Sequence, residues 1–246
     1  MKSFIHYLPI LTTLIAIPFG VILFRHWRKK PSAVYLAWWT LGVITYAAGT
    51  ITESLTTLYG WDPIVFKAWY ISGALLGGVP LAQGTVYLLM HKRFANRSAI
   101  IVTAFIVIAA VSVVLSPLDL SLVETHRLSG RVFEWQWVRL FSPFINVYAV
   151  IFLVGGAIWS ASKYWRSGID YRSRMWGNVF IAVGAILPGI GGSFARGGIV
   201  EVLYITELIG LILIWIGYHI IVTRSAPSVS DRSFVLKSQG EITSPP

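Results

Sequence analysis

Apolar residues in this chain gather into seven long runs separated by short polar segments. The runs cover residues 7–24, 34–58, 64–90, 99–115, 140–162, 176–193 and 202–222. A helix needs roughly 20 apolar residues to cross the hydrocarbon of a bilayer, and each run meets or approaches that length. The pattern therefore predicts an all-α, polytopic membrane protein: one bundle of seven transmembrane helices over residues 1–224. One sizeable external loop remains, 117–138, and one tail, 225–246. The tail is polar and rich in Ser and Pro, which predicts disorder. Within the loop, two β-prone stretches flank Ser129-Gly130 and predict a small hairpin lid.

The basic residues orient the bundle. Arg25, Arg28, Lys29 and Lys30 follow the first run; Lys92, Arg93 and Arg97 follow the third. Lys163, Arg166, Arg172 and Arg174 follow the fifth; Arg224, Arg232 and Lys237 lie in the tail. Those 14 of the 20 Lys and Arg residues share one side, and Lys2, Lys67, Arg127, Arg131, Arg139 and Arg196 lie on the other. Positively charged loops stay in the cytoplasm, so the N-terminus is expected outside and the C-terminus inside a bacterial-type cytoplasmic membrane. Most of the 11 Trp lie near run ends, where an indole ring is half buried and its N–H is wet. The first run has no small-residue cleavage pattern after it and passes straight into Arg25-His26-Trp27-Arg28, so it is expected to be a retained helix.

A faint internal repeat is visible. Leu8-Pro9-Ile10 and Ser142-Pro143-Phe144 open the first and fifth runs, and Arg25-His-Trp27-Arg28 and Lys163-Tyr-Trp165-Arg166 close them. Ala68-Trp-Tyr70-Ile71 and Val202-Leu-Tyr204-Ile205 open the third and seventh. Two three-helix units joined by a plain fourth helix would follow, with a ligand site between the halves. The fourth run is nearly all Val, Ile and Ala and is expected to face lipid.

Composition removes several chemistries. The net charge of +10 sits in short loops beside apolar runs, where it meets anionic lipid headgroups; no nucleic-acid-binding module is present. With no cysteine, disulfides, thiolate catalysis and Cys-based metal sites are excluded. Of the seven lysines only Lys67, at the outer end of the third run, falls inside one, so a retinal Schiff base has no amine deep in the bundle to form on. The five histidines are scattered over both faces, without the convergence that a metal site needs. No catalytic residue and no cofactor is assigned.

Ionisable groups in hydrocarbon are costly and often functional. Two stand out: Glu53 in Thr50-Ile-Thr-Glu53 and Glu207 in Tyr204-Ile-Thr-Glu207. Both fall in the outer half, Glu207 at about 9 Å from its helix end at 1.5 Å rise per residue. Tyr46, Thr50 and Glu53 share one face of the second run, and Tyr204, Glu207, Leu211 and Tyr218 share one face of the seventh. In the third run, Trp69, Gly73, Leu76, Pro80, Gln83 and Tyr87 recur at helical spacing and predict a single polar stripe. Asn146 lies in the outer half of the fifth run, and Arg196 in the turn before the seventh. The functional expectation is an outward-facing cavity with Glu53, Trp69, Tyr70, Gln83, Asn146, Arg196 and Glu207 as ligand-binding residues. The alternative is that each Glu makes a structural hydrogen bond within the bundle. Gly184 and Pro188, four apart in the sixth run, suit close helix packing or a hinge at Leu187-Pro188-Gly189.

The stretch carrying Tyr35-Leu-Ala-Trp-Trp39, Ala48-Gly-Thr50, Glu53, Gly60-Trp61, Ala68-Trp-Tyr70 and Gln83-Gly-Thr-Val-Tyr-Leu-Leu89 resembles uncharacterised bacterial seven-helix membrane proteins. That resemblance implies the fold and brings no activity. By topology the chain is also similar to rhodopsin-type and three-plus-one-plus-three transporter bundles, without the retinal lysine. The function expected is non-enzymatic binding of a small, partly apolar ligand, for transport or sensing. Two other readings stay open: a structural subunit with a membrane protein partner, and an intramembrane enzyme acting on lipid.

Overall fold

A computed structural model describes residues 4–124 and 128–223, and each apolar run is helical there. The helices are α1 (Phe4–Lys29), α2 (Val34–Tyr59), α3 (Pro63–Leu89), α4 (Lys92–Leu115), α5 (Gln136–Arg166), α6 (Ile169–Arg196) and α7 (Val200–Thr223). All seven are long and apolar enough to cross a membrane, which makes this a multi-pass membrane protein by helix length and composition. The tail expected to be disordered lies outside the described residues.

The helices outrun the apolar stretches, most clearly at Lys92–Arg97 and Ile169–Arg174. An apolar run marks where hydrocarbon begins, whereas backbone hydrogen bonding continues into the headgroup layer. Local chemistry sets the stops. Gly60, at φ 92°, turns the chain after α2. Asp62 then caps α3, accepting from the Ile64 and Val65 amides at 2.8 and 3.0 Å, with Pro63 in the first helical position.

Six helices form a closed ring in the order α1, α2, α3, α5, α6, α7 and back to α1. Helix α4 lies outside it, against α3 and α5, with most of its Ile and Val side chains facing outward as expected. The central core joins Phe19 and Leu23 of α1, Val43 of α2, Leu81 of α3, Leu153 of α5 and Leu211 of α7. A second core lies under the 116–138 segment, where Phe133, 0% exposed, packs on Phe66 and Tyr70. We call that end, which also carries Phe4, Gly60 and the α6–α7 turn, the loop-bearing end.

The expected hairpin is not found. Among the described residues the segment has no strand, only an isolated antiparallel bridge between Leu118 and Phe133. Short 3-10 turns at Leu120–Leu122, Gly130–Val132 and Gln136–Leu140 replace it. Adjacent Val132 and Phe133 are both in the core, whereas a hairpin lid resting on the bundle by one face would bury only alternate residues. Side chains then hold the turns, with Asp119 accepting from the Ser121 amide and hydroxyl at 2.9 and 2.6 Å. Lys67 of α3 ties that helix to the end of α4 by donating to the Val114 and Ser116 carbonyls at 2.7 and 3.0 Å, a cation at a helix C-terminus.

The most extensive helix contact is α6 on α7. It is a glycine seam of period seven: Gly177, Gly184 and Gly191 on α6 oppose Gly217, Gly210 and Leu203 on α7. A Cβ on Gly184 would lie 2.6 Å from the Gly210 carbonyl oxygen, and one on Gly177 would lie 2.8 Å from that of Gly217. Without a hydrophobic force between helices in lipid, such backbone approach is what holds them. Pro188 packs into the same seam, and α6 continues through it to Arg196. Replacing Gly184 with Leu is expected to cost about 1–3 kcal/mol by overpacking. Gly189→Leu, at a position open to space, is expected to cost little. Equilibrium unfolding in mixed micelles measures both, and equal losses would contradict the seam.

Candidate functional site: a buried carboxyl pair

Glu53 lies six residues before the end of α2, and Glu207 seven residues after the start of α7. The two helices run in opposite directions, so both residues sit at the same level, about 10 Å below the loop-bearing end at 1.5 Å per residue. There the two carboxyl groups lie close enough to interact. Each arises from the triplet Ile-Thr-Glu, at 51–53 and at 205–207.

Backbone packing one turn below creates this arrangement. A Cβ on Gly49 would lie 3.4 Å from the Gly73 Cα, so α2 and α3 nearly touch there. Glu53 is one turn beyond Gly49, and Trp69 is one turn beyond Gly73 in the opposite direction. The indole N–H of Trp69 consequently donates to Glu53 Oε1 at 3.0 Å. From lower on α2, the Tyr46 hydroxyl donates to the Glu207 backbone carbonyl at 2.9 Å, bridging α2 to α7. Tyr204, buried and one turn before Glu207, closes the site above.

What the site lacks is a cation. Among the described residues neither carboxyl pairs with a Lys or Arg, and Glu53 is only 3% exposed. Four buried side-chain polar atoms among the described residues have no hydrogen-bond partner: His6 Nδ1, Glu53 Oε2, Trp61 Nε1 and Glu207 Oε2. All four lie toward the loop-bearing end. A carboxylate oxygen only accepts, whereas a protonated carboxyl also donates. A proton held between the two carboxyl groups converts two facing acceptors into a donor and an acceptor. Dyads of this kind share one proton because two adjacent buried negative charges repel strongly.

The other expected site residues have different surroundings. Tyr70 follows Trp69 on α3 but turns toward the second core, where its hydroxyl meets Ser142 Oγ at 3.2 Å. Gln83, 0% exposed, knits three helices together. Its amide donates to the Ala95 carbonyl at 3.0 Å and Ser98 Oγ at 3.2 Å, and its oxygen accepts from Tyr148 at 2.5 Å. Asn146 and Arg196 are exposed, on α5 and at the end of α6.

The single polar stripe expected along α3 is thus split. Regular α-helix ends at Trp69, a π-helical segment follows at Tyr70–Leu75, and α-helix resumes only at Val79 with Pro80 in its first turn. Each π turn changes the residue count per turn, so the 3.6-residue period does not carry across it. Trp69 faces α2, whereas Gln83 faces α4 and α5.

A groove of about 320 Å³ lies elsewhere, lined by Phe105, Trp137, Leu140, Phe141 and Phe144, on the apolar outer surface between α4 and α5. Tyr46, Tyr204 and His6 join the site although the sequence marked none of them as ligand-binding. The repeated Ile-Thr-Glu triplet marks both carboxyls in the sequence without pairing them. Comparison with family models, curated proteins and solved structures finds no match.

If Trp69 supports Glu53 as described, Trp69→Phe leaves Oε1 unpaired and costs about 1–3 kcal/mol of stability. Trp61→Phe removes an N–H that has no partner and serves as the size control. Unfolding in micelles should separate the two variants; indistinguishable values would rule out the indole–carboxyl bond.

Proposed function

We propose that this protein binds a small, partly apolar ligand near its loop-bearing end and couples that binding to a proton on the Glu53–Glu207 pair, for transport or sensing. The observation that carries this reading is the pair itself: two facing carboxyls, deep in apolar helices, without a cation. Buried ionisable groups of this kind recur in proton relays. Trp69 and Tyr204 supply aromatic surface beside the pair. Tyr70, Gln83, Asn146 and Arg196, expected as further ligand contacts, would act on the ligand only after rearrangement.

The basic segments favour a loop-bearing end that faces outward, with the N-terminus outside and the C-terminus in the cytoplasm. The membrane would be a cytoplasmic membrane, its anionic headgroups contacting Arg25–Lys30, Lys92–Arg97 and Lys163–Arg174. The ring order, with α4 excluded, is what a three-plus-one-plus-three repeat requires, and it supports that reading. The second reading, a subunit of a larger membrane complex, is favoured by one observation: the exposed aromatic groove between α4 and α5.

Native mass spectrometry on mildly solubilised protein tests both. A reproducible small-molecule adduct whose occupancy depends on pH, with that dependence lost in Glu207→Gln, is expected. A stoichiometric protein partner without any adduct would instead establish the subunit reading. An adduct with unaltered pH dependence in Glu207→Gln would remove the proton coupling.

A further inference from the structure

Helix direction turns the two carboxyls toward each other. Side chains lean toward the N-terminus of their own helix. Glu207 therefore reaches toward the loop-bearing end, where α7 starts, and Glu53 reaches away from it, because α2 ends there. A hydrogen bond fixes the approach. The Glu207 carbonyl accepts from Tyr46 at 2.9 Å, and Tyr46 lies seven residues before Glu53 on the same face of α2. Glu53 is 3% exposed, and its two oxygens differ. The Trp69 indole holds Oε1 at 3.0 Å, which aims Oε2 into the space the pair shares. There Oε2 is enclosed and has no partner, and Glu207 Oε2 is in the same condition.

Two converging acceptors are complemented by a cation that donates, and the surroundings choose among cations. A hard metal ion takes about six or more oxygens. Here the oxygens on offer are those of two carboxyls, one of them already bonded to an indole N–H. Among the described residues no group of three or more His, Asp and Glu could hold a metal. Aromatic surface stands where further oxygens would be needed. Trp69 and Tyr204 adjoin the pair, Tyr46 lies below it, and the His6 ring meets Tyr204 edge to face with centroids 6.2 Å apart. Carboxylates that bond N–H groups and rings that attract their charge are the two halves of ammonium recognition. The other titratable groups at this level are Tyr46 from α2, Tyr204 and Glu201 from α7, and His6 from the turn that opens α1. Helix α3 contributes the uncharged indole, and Arg196 at the end of α6 is exposed.

Resting on the proton-linked reading of the pair, we propose that the ligand is an amine with an apolar body, bound as its ammonium ion between Glu53 and Glu207 in exchange for their shared proton. The ammonium N–H groups donate to the two Oε2 atoms, and the apolar body lies against Trp69 and Tyr204. The exchange balances. A pair holding one proton has the same net charge as two carboxylates holding one ammonium. One proton therefore leaves to solvent for each ammonium that enters, and only that proton's O–H bond is broken. The two states exclude one another, because both Oε2 atoms are enclosed while the carboxyls face each other. The carboxyls have to part for the ammonium to enter, and repulsion between them on loss of the shared proton drives that parting.

Titration calorimetry of the full-length protein in mild-detergent micelles tests this with two probes of one shape. Phenethylamine is charged between about pH 5 and 8, and phenethyl alcohol is neutral; both carry a phenyl ring and a hydrogen-bond donor. The amine is expected to bind at least about tenfold more tightly than the alcohol. Its affinity is expected to rise with pH, as the pair gives up its proton, by up to about tenfold per pH unit. Titrations in buffers of different ionisation enthalpy are expected to show release of about one proton per amine bound. Glu207→Gln is expected to abolish that release and to weaken the amine at least about tenfold, with the alcohol unaffected. Should Glu207→Gln fold poorly, Glu53→Gln, which keeps an acceptor for the Trp69 indole, carries the same expectation. Equal affinity for the two probes, or no binding of the amine, would overturn the ammonium ion. A pH-dependent adduct in native mass spectrometry would then still support the proton-linked pair. Tight amine binding without proton release would overturn the exchange. Displacement of the amine by an equal concentration of Na+ would reassign the site to an inorganic cation. Amine binding with unaltered affinity and pH dependence in both Gln variants would remove the pair reading, and the ammonium site with it.

Discussion

Polar groups inside an apolar bundle have no water to turn to, and that constraint organises this molecule. Helix α2 shows how it is met. Thr40, Thr50, Thr52 and Thr56 each fold back onto a carbonyl three or four residues earlier, at 2.6 to 3.1 Å. Their hydroxyls are satisfied within the helix, so a threonine-rich face can be buried against α1 and α3. Gln83 meets the same constraint between helices, by using both ends of its amide. Against that background the unpartnered atoms of Glu53 and Glu207 are exceptional, and a shared proton is the smallest change that satisfies both.

The second organising interaction is backbone contact through glycine. The α6–α7 seam and the Gly49–Gly73 contact do different work with the same device. The first fastens two long helices along most of their length. The second is local and sets the spacing one turn below the carboxyl pair, which lets an indole from α3 reach a carboxylate on α2. A side chain at Gly49 would separate the helices at the point where the site needs them closest.

The irregular parts of the fold are also explained by what they bury. The π segment in α3 shifts Trp69 and Gln83 onto different faces, so a single helix serves both the carboxyl site and the α4–α5 interface. The 116–138 segment gives up strand pairing to sink Val132 and Phe133 into the core beside Tyr70. In each case tertiary burial overrides a local pattern that would have been regular in isolation.

The sequence by itself determined the seven helices, the outward-facing character of α4 and the depth of Glu53 and Glu207. These depend on hydrophobic length and position, which are properties of single segments. The seven-residue period of the glycines at 177, 184 and 191, and at 210 and 217, took on meaning only from the helix contact, because spacing alone does not say which helix they meet. Only the tertiary structure decided that Glu53 faces Glu207, that Trp69 belongs to that pair while Gln83 does not, and that His6 lies over Tyr204. Those relations depend on where helices touch and on a break in helical period inside α3. A one-dimensional pattern read at a constant 3.6 residues per turn carries neither.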